Sequence, residues 1–470
     1  MGAEVIGLYH IALSLFSMLT CITASGIPLT LSRMTAEHTS SGNENRIPSI
    51  IASSIVTGIL SSVVIVILIF IFKGNLKFIV KDPRAIPLFL IMLPALISTT
   101  LYTIFRGWFW GKKDFKSFSL GELIEEIFRI IFTITLAGGI ISSIKGATGI
   151  AVAFTVSDVM IALVMLYMFI RRGGRLKSPK EYLSLLKSST PVTAMRLFSG
   201  IIASLTAFVI PAQLALYGMT INEATAAYGR VIGLAFPVIF IPLALTGSIV
   251  IVLIPEVSGQ NILGNVKSIA RKIDKTIMIS VCITGLFLSA FIAYGREIGI
   301  ILYNDVIAGE FIKAGAWMMI IICINQITSS VLNSLAMETT AFFNYVIGTL
   351  ILIFLIYFLP RYIGIYALIA ANGVYYLITL ALNVYSLYKK GVLDLKFIKS
   401  CFLVIIFAIP SAYISRSIFE MIGYALPVYI STPIACIFLG IIYVMMIAVS
   451  DIINIKYFYI GRFQQLRTGS

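Results

Sequence analysis

The chain has 470 residues, of which 59% are hydrophobic and only 12% are charged, and its mean hydropathy is +1.02. Soluble globular domains carry about 25% charged residues, so this composition excludes that class. The formal net charge of +15 invites a nucleic-acid-binding function, but the basic residues lie in short connections between long apolar runs. Membrane orientation requires such basic connections. We therefore predict an all-α polytopic membrane protein that does not bind nucleic acid.

The apolar runs follow one another from one end of the chain to the other, and each is long enough to cross a hydrocarbon core of about 30 Å. We predict thirteen spans. They lie at about residues 8–32, 48–72, 85–105, 119–142, 147–170, 188–213, 224–254, 276–294, 310–335, 341–359, 362–388, 397–418 and 427–450.

Lysine and arginine concentrate in alternate connections, namely those that follow the odd-numbered spans. The connection Arg171–Lys187 alone contains six basic residues. Connections rich in lysine and arginine stay in the cytoplasm, so we predict a cytoplasmic carboxyl terminus and an amino terminus outside. Met1–Leu8 lacks the basic segment of a signal peptide that would explain an outside start.

An internal repeat is present. Residues 146–173 align without gaps with residues 364–391, and Gly146 and Gly173 fall on Gly364 and Gly391. The paired spans are six apart, an even number, so both copies cross the membrane in the same direction. This pattern is typical of parallel-repeat transporters, whose two lobes enclose a substrate site. We predict lobes at residues 1–175 and 176–391, then an extra helix pair with a short cytoplasmic tail at 392–470.

The fourth predicted span is the most charged. Glu122, Glu125 and Arg129 are spaced three and four residues apart and therefore share one helix face, with Glu126 beside them. An ionised side chain near the centre of a bilayer costs roughly 2.5–3.5 kcal/mol. These side chains therefore need partners or a water-filled space. If the helix starts later, they lie instead at the level of the lipid headgroups.

Several short motifs carry a resemblance that extends over essentially the whole chain. They are Gly2-Ala3-Glu4 with Gly7-Leu8-Tyr9, Ser25-Gly26-Ile27-Pro28, Arg106-Gly107-Trp108-Phe109, Thr190-Pro191-Val192-Thr193 and Glu223-Ala224-Thr225-Ala226. The chain resembles the stage V sporulation protein B family of the multidrug, oligosaccharidyl-lipid and polysaccharide exporter superfamily. The resemblance implies a MATE-like flippase for lipid-linked cell-wall or polysaccharide precursors in a bacterial cell membrane, associated in spore formers with cortex peptidoglycan.

The sequence departs from that family in two places. The family has a helix before the first span seen here, and the repeat leaves the sixth span without a partner, so we expect the family's first helix to be absent from this sequence. An acidic position of the family is occupied by Thr206.

A polyprenyl-pyrophosphate sugar has an anionic head, and arginine suits it because arginine stays charged and forks onto phosphate oxygens. For each candidate the alternative is an interfacial arginine whose charge reaches the headgroups. The substrate-binding candidates are Arg33, Arg106, Arg129, Arg196 and Arg230.

Glu125 is predicted to be either a structural partner of Arg129 or a protonatable coupling group, and Asp158 in the fifth span is a second coupling candidate. Whether transport is coupled to H⁺ or Na⁺ stays open. We expect no bound cofactor, because the five cysteines and two histidines form no metal-binding pattern.

Two other functions were compared with the flippase. An exporter of cationic drugs from the same superfamily would need a net acidic cavity, whereas the candidate arginines outnumber the candidate carboxylates. A membrane glycosyltransferase would need a carboxylate cluster on a sizeable loop, and the longest loops have only about 15–20 residues. We therefore predict a monomeric transporter without enzymatic activity.

Overall fold

A computed structural model describes residues 2–23, 26–40, 42–76, 80, 82–138, 146–262, 264–335, 337–394, 396–423 and 427–449. Its described elements are helices. Those of the first half are α1 Ala3–Thr23, α2 Gly26–Ser40, α3 Ile47–Ile71, α4 Ala85–Met92, α5 Ala95–Gly111, α6 Phe115–Phe132, α7 Gly146–Arg171, α8 Tyr182–Leu216 and α9 Ile221–Gly229. Those of the second half are α10 Phe236–Ile262, α11 Val266–Tyr303, α12 Val306–Gly315, α13 Met318–Ser334, α14 Glu338–Phe358, α15 Pro360–Ile363, α16 Tyr366–Lys389, α17 Lys396–Gly423 and α18 Val428–Val449.

Ten of the described helices are long and apolar enough to cross a membrane, and two bent pairs raise the number to twelve. The pairs are α4 with α5, bent by 48°, and α12 with α13, bent by 55°. The difference from the predicted thirteen is α6, which corresponds to the fourth span and carries the charged residues described above. The protein is thus an all-helical multi-pass membrane protein. The predicted cytoplasmic tail lies outside the described residues.

The chain divides into two compact units, Met1–Gly229 and Arg230–Ser470. The first unit includes α8, which packs on α1 and α2. In that contact Ser204 Oγ donates to the carbonyl of Ser14 at 2.8 Å. The lobe boundary predicted near residue 175 remains a prediction.

One face of the first unit collects the connections that follow the first, third and fifth predicted spans. Lys112 lies 2.8 Å from Glu44, Arg172 lies 3.6 Å from Asp114, and Ser49 Oγ donates to the carbonyl of Ser178 at 2.7 Å. These are the basic connections that the charge pattern assigns to one side of the membrane.

The glycines of the internal repeat have positive φ at both ends of the aligned helices. Gly146, the first residue of α7, has φ of +68°, and Gly364, two residues before α16, has φ of +57°. Gly173 and Gly391 follow those helices with φ of +80° and +74°. A positive φ is disfavoured for residues with a Cβ atom. A glycine is therefore suited to each of these four positions.

The C-terminal pair α17 and α18 packs on α11 in the second unit. The hydroxyls of Tyr294 and Ser415 are hydrogen-bonded at 2.5 Å, and the Tyr443 hydroxyl donates to the carbonyl of Cys282 at 2.8 Å. Arg416 joins Glu297 at 2.7 Å nearby. Hydrogen bonds and an ion pair at two levels along α11 thus hold α17 and α18 against it.

Backbones touch where α1 crosses α9. A Cβ atom added to Gly7 would lie 2.1 Å from the carbonyl oxygen of Thr225, and one added to Gly229 would lie 2.4 Å from that of Ala3. Small residues four apart on both helices permit this approach, as in other membrane helix pairs.

We predict that Gly229→Ala lowers the melting temperature of the detergent-solubilised protein, because the added methyl group must push α9 away from α1. Overpacking of this kind costs about 1–3 kcal/mol. Gly74→Ala is the matched control, since a Cβ there meets nothing within 4 Å. Equal melting curves for the two variants would contradict the close crossing.

Candidate functional site

The predicted ion pair on α6 is present. Arg129 Nη2 lies 2.7 Å from Glu125 Oε1, one helical turn earlier, and Arg129 Nη1 lies 3.3 Å from Glu126 Oε1. The guanidinium also lies 5.4 Å from the centroid of the Phe154 ring on α7. One arginine therefore serves two carboxylates of its own helix and a ring of the next.

Asp158 of α7 faces the same arginine. Its Oδ1 is 3.6 Å from Arg129 Nη2, while its Oδ2 accepts a hydrogen bond from the hydroxyl of Thr99 on α5. Asp158 is only 3% exposed, and Oδ1 has no hydrogen-bond partner among the described residues. The structure thus brings Asp158 of α7 to the Glu125–Arg129 pair of α6. We call the group formed by Thr99, Glu125, Glu126, Arg129 and Asp158 the ionic cluster.

Arg106 on α5 has a partner on the same charged helix. Its Nη2 lies 2.9 Å from Glu122 Oε1, and its guanidinium is 4.8 Å from the centroid of the Phe118 ring. Arg106 and Arg129 together supply two positive charges against the four carboxylates Glu122, Glu125, Glu126 and Asp158. This part of the first unit therefore carries a formal charge of 2 − 4 = −2.

Arg230 pairs with Asp305 in the second unit, with Nε and Oδ2 2.8 Å apart. Arg230 opens a π-helical segment, Arg230–Ala235, and Asp305 caps α12 by accepting from the backbone N–H of Ala308 at 3.0 Å. Burial alone would raise the pKa of Asp305, but the hydrogen bonds from Arg230 and Ala308 outweigh it and hold the pKa below its ordinary value. The Asp305 carboxylate is therefore ionised at neutral pH.

The other two candidate arginines are exposed. Arg33 lies on α2 and Arg196 on α8, and neither belongs to the ionic cluster as the described contacts define it. Exposure suits either a binding role or an interfacial one, so the structure leaves both open.

Thr99 is a site residue that the sequence did not single out as a candidate. A lone threonine in an apolar span gives no signal by itself, because such hydroxyls usually bond to their own helix. Thr99 does lie near its own Ala95 carbonyl, at 2.8 Å, and only the fold places Asp158 within its reach.

A second polar cluster joins three segments of the first unit. Arg84 lies 2.7 Å from Asp82 and 2.5 Å from Glu4 of α1, and the Thr225 hydroxyl of α9 donates to Asp82 at 3.0 Å. The Asp82 side chain is 1% exposed, and that of Glu4 is 42% exposed. Burial acts to raise the pKa of Asp82, yet the hydrogen bonds from Arg84 and Thr225 hold it below its usual value. Glu4 and Thr225 belong to motifs that carry the family resemblance.

Among the described residues, no group of three or more His, Cys, Asp or Glu side chains could hold a metal ion. The five cysteines are free thiols.

The fold is that of transporters of the multidrug, oligosaccharidyl-lipid and polysaccharide exporter superfamily. An inward-facing multidrug resistance MATE family transporter superposes with a TM-score of 0.71 at 13% identity, over 83% of this chain and 91% of that one. The lipid II flippase MurJ, in an inward closed conformation, superposes with a TM-score of 0.65 at 14% identity, over 96% of this chain and 97% of that one.

The sequence model of the polysaccharide biosynthesis protein family matches residues 1–260, and the chain belongs to that family. Stage V sporulation protein B of Bacillus subtilis (strain 168) is 23% identical over 367 residues, which span 74% of this chain and 70% of that protein. The resemblance seen in the sequence is confirmed.

We predict that Asp82→Asn lowers the stability of the purified protein at neutral pH by about 1–3 kcal/mol, because a buried, hydrogen-bonded carboxylate loses its charge. A folded-state pKa below the ordinary aspartate value of 3.8 means that the carboxylate stabilises the fold above about pH 3.8. That contribution is lost as the pH falls through the lower folded-state pKa. Glu4→Gln, at an exposed position, should cost less than about 1 kcal/mol. Thermal unfolding as a function of pH measures both, and equal effects of the two variants would contradict the buried role of Asp82.

Proposed function

We propose that this protein is a flippase or exporter that moves lipid-linked cell-wall or polysaccharide precursors across the bacterial cell membrane by alternating access. The observation that carries the proposal is the extent of the two matches. The polysaccharide biosynthesis family covers residues 1–260, and the lipid II flippase covers 96% of the chain, whereas the MATE transporter covers 83%. The likeness to the Bacillus subtilis sporulation protein supports a role in peptidoglycan synthesis during spore formation.

The ionic cluster and the neighbouring Arg106–Glu122 pair supply the chemistry that such a substrate needs. Arg129 and Arg106 are about one-third exposed, so a pyrophosphate can reach both guanidinium groups. Each guanidinium already has a carboxylate partner, so the phosphate oxygens must replace Glu125 or Glu122 as its ligand. An anion that is bound in this way by arginine exchanges one charged partner for another and leaves no arginine unpaired in the membrane.

Asp158 would couple the exchange of partners at Arg129 to the uptake of a cation. When the pyrophosphate takes Arg129, Asp158 loses the nearest cation and remains buried. A buried carboxylate without a cation favours its protonated form. Between H⁺ and Na⁺ we favour H⁺, because a proton needs one carboxylate oxygen whereas a metal cation needs several oxygen ligands. Glu125, released from Arg129 at the same moment, is the second group that can take up the proton.

A second candidate function, the export of cationic drugs, is favoured by one specific observation. Arg106 and Arg129 are outnumbered by the four carboxylates paired with them, which leaves a formal charge of −2 where the sequence alone suggested a cationic site. An acidic surface attracts organic cations. The two functions predict opposite responses to the same substitution.

For the flippase, we predict that Arg129→Ala lowers transport by at least about tenfold, equivalent to about 1.4 kcal/mol. Arg129→Lys should also impair transport, because lysine lacks the planar fork. Arg230→Ala should reduce transport as well, because it removes the partner of Asp305. The assay uses liposomes with a fluorescent polyprenyl-pyrophosphate sugar and follows its accessibility to an outside reagent. Full activity of the three variants would locate the phosphate site elsewhere.

To separate the two functions, we compare Arg129→Ala with Glu125→Gln in liposomes that contain either the lipid-linked sugar or a fluorescent lipophilic cation. A drug exporter should transport the cation at least as well after Arg129→Ala, because the site becomes more acidic, and less well after Glu125→Gln. A flippase should lose transport of the lipid-linked sugar after Arg129→Ala. Transport of the cation by the unaltered protein, without transport of the lipid-linked sugar, would decide for the drug exporter.

A further inference from the structure

The span made of α4 and α5 is broken beside the ionic cluster. It bends by 48° around Leu93 and Pro94, and proline has no N–H with which to continue the helical ladder. At the bend, backbone hydrogen bonds span three residues instead of four. Leu96 N–H donates to Leu93 O at 3.0 Å, and Ile97 N–H donates to Pro94 O at 3.3 Å. The last carbonyls of a helix have no partner within it. Inside a membrane they need a donor from elsewhere.

Thr155 on α7 supplies such a donor. Its hydroxyl lies 3.0 Å from the carbonyl of Ile91, in the last turn of α4, and 3.0 Å from the carbonyl of Ala151 in its own helix. Three residues further along α7, Asp158 accepts the hydrogen bond from Thr99 of α5. Positions three apart lie on the same helix face. One face of α7 therefore holds both arms of the bent span, Thr155 before the bend and Asp158 after it.

We propose that Thr155 is a positioning residue for ion binding at Asp158. By holding α4 through the Ile91 carbonyl, Thr155 sets the direction in which α5 leaves the bend and so keeps the Thr99 hydroxyl on the carboxylate. The proposal rests on the proposed function only in assigning the coupling role to Asp158. The other groups that face Asp158 are Arg129 and Glu125 of α6 and Tyr9 of α1.

The bend of the second unit, between α12 and α13, is packed differently. Gly373, aligned with Thr155 by the offset of 218, leaves room for Trp317 at the bend between α12 and α13, because a Cβ there would lie 2.0 Å from the indole ring. Tyr376 takes the place aligned with Asp158. The second repeat therefore fills this position by packing, whereas the first uses a hydroxyl next to a carboxylate. The Thr155 hydroxyl therefore occurs in the repeat that also has the carboxylate of Asp158.

The test is an infrared pH titration of the protein in liposomes without substrate. The carboxyl C=O stretching band of protonated Asp158 is identified by its loss in Asp158→Asn. Thr155→Val keeps the shape of the side chain and removes the hydroxyl. It should move the midpoint of this band upward by about half a pH unit or more, because the charged carboxylate loses a well-placed hydrogen bond. Thr155→Ser restores the donor and should return the midpoint to that of the unaltered protein.

Two further variants make the test specific. Thr206→Val is the matched control, since the Thr206 hydroxyl bonds only to the Ile202 carbonyl of its own helix in the described contacts, and its midpoint should not move. Pro94→Ala returns the missing N–H and should straighten the span, so its midpoint should move upward as with Thr155→Val. If Thr155→Val fails to fold, Pro94→Ala carries the test.

Equal midpoints for the valine and serine variants of Thr155 would overturn the proposal, as would a shift of the same size in Thr206→Val. Because the titration contains no substrate, it is independent of the proposed function. Failure of the unaltered protein to move the lipid-linked sugar would reject the flippase and leave the infrared result on Thr155 intact.

Discussion

The first unit depends on one constraint, which is that a charged side chain packed among apolar helices must have partners. Arg129 meets this constraint with Glu125 and Glu126 from its own helix and with Asp158 from α7. Because three carboxylates share one guanidinium, none of them is fully neutralised. The arrangement is stable only while the helices hold these groups together, so the packing of α5, α6 and α7 and the state of the site are coupled.

This sharing determines whether the arginines are open to an anionic substrate. An unpaired arginine would be an open site for phosphate, whereas Arg106, Arg129 and Arg230 each have an acidic partner within 3 Å. Under the proposed function, an anionic substrate must displace a carboxylate, and the displaced carboxylate then gains affinity for a cation. Exchange of partners at one guanidinium is a simple physical route by which substrate and ion binding become linked.

The motifs that carry the family resemblance serve packing as well as chemistry. Ala3 and Gly7 touch Thr225 and Gly229 where α1 crosses α9, more than 200 residues away in the chain. Asp82 and its partners bind the same two helices together next to this crossing. A motif that carries the family resemblance is therefore here a close backbone contact reinforced by a buried carboxylate.

The sequence by itself determined the membrane class, the positions of most spans and the Glu125–Arg129 pair, because hydropathy and helical spacing are local properties. It also identified Arg106 and Arg230 as candidate substrate-binding residues and Asp158 as a candidate coupling residue. The tertiary structure alone decided their partners, because Asp305, Glu122 and Thr99 reach them only through helix packing. It also placed four carboxylates against the two arginines Arg106 and Arg129, because the partners of an arginine are set by proximity in space and cannot be read from the sequence.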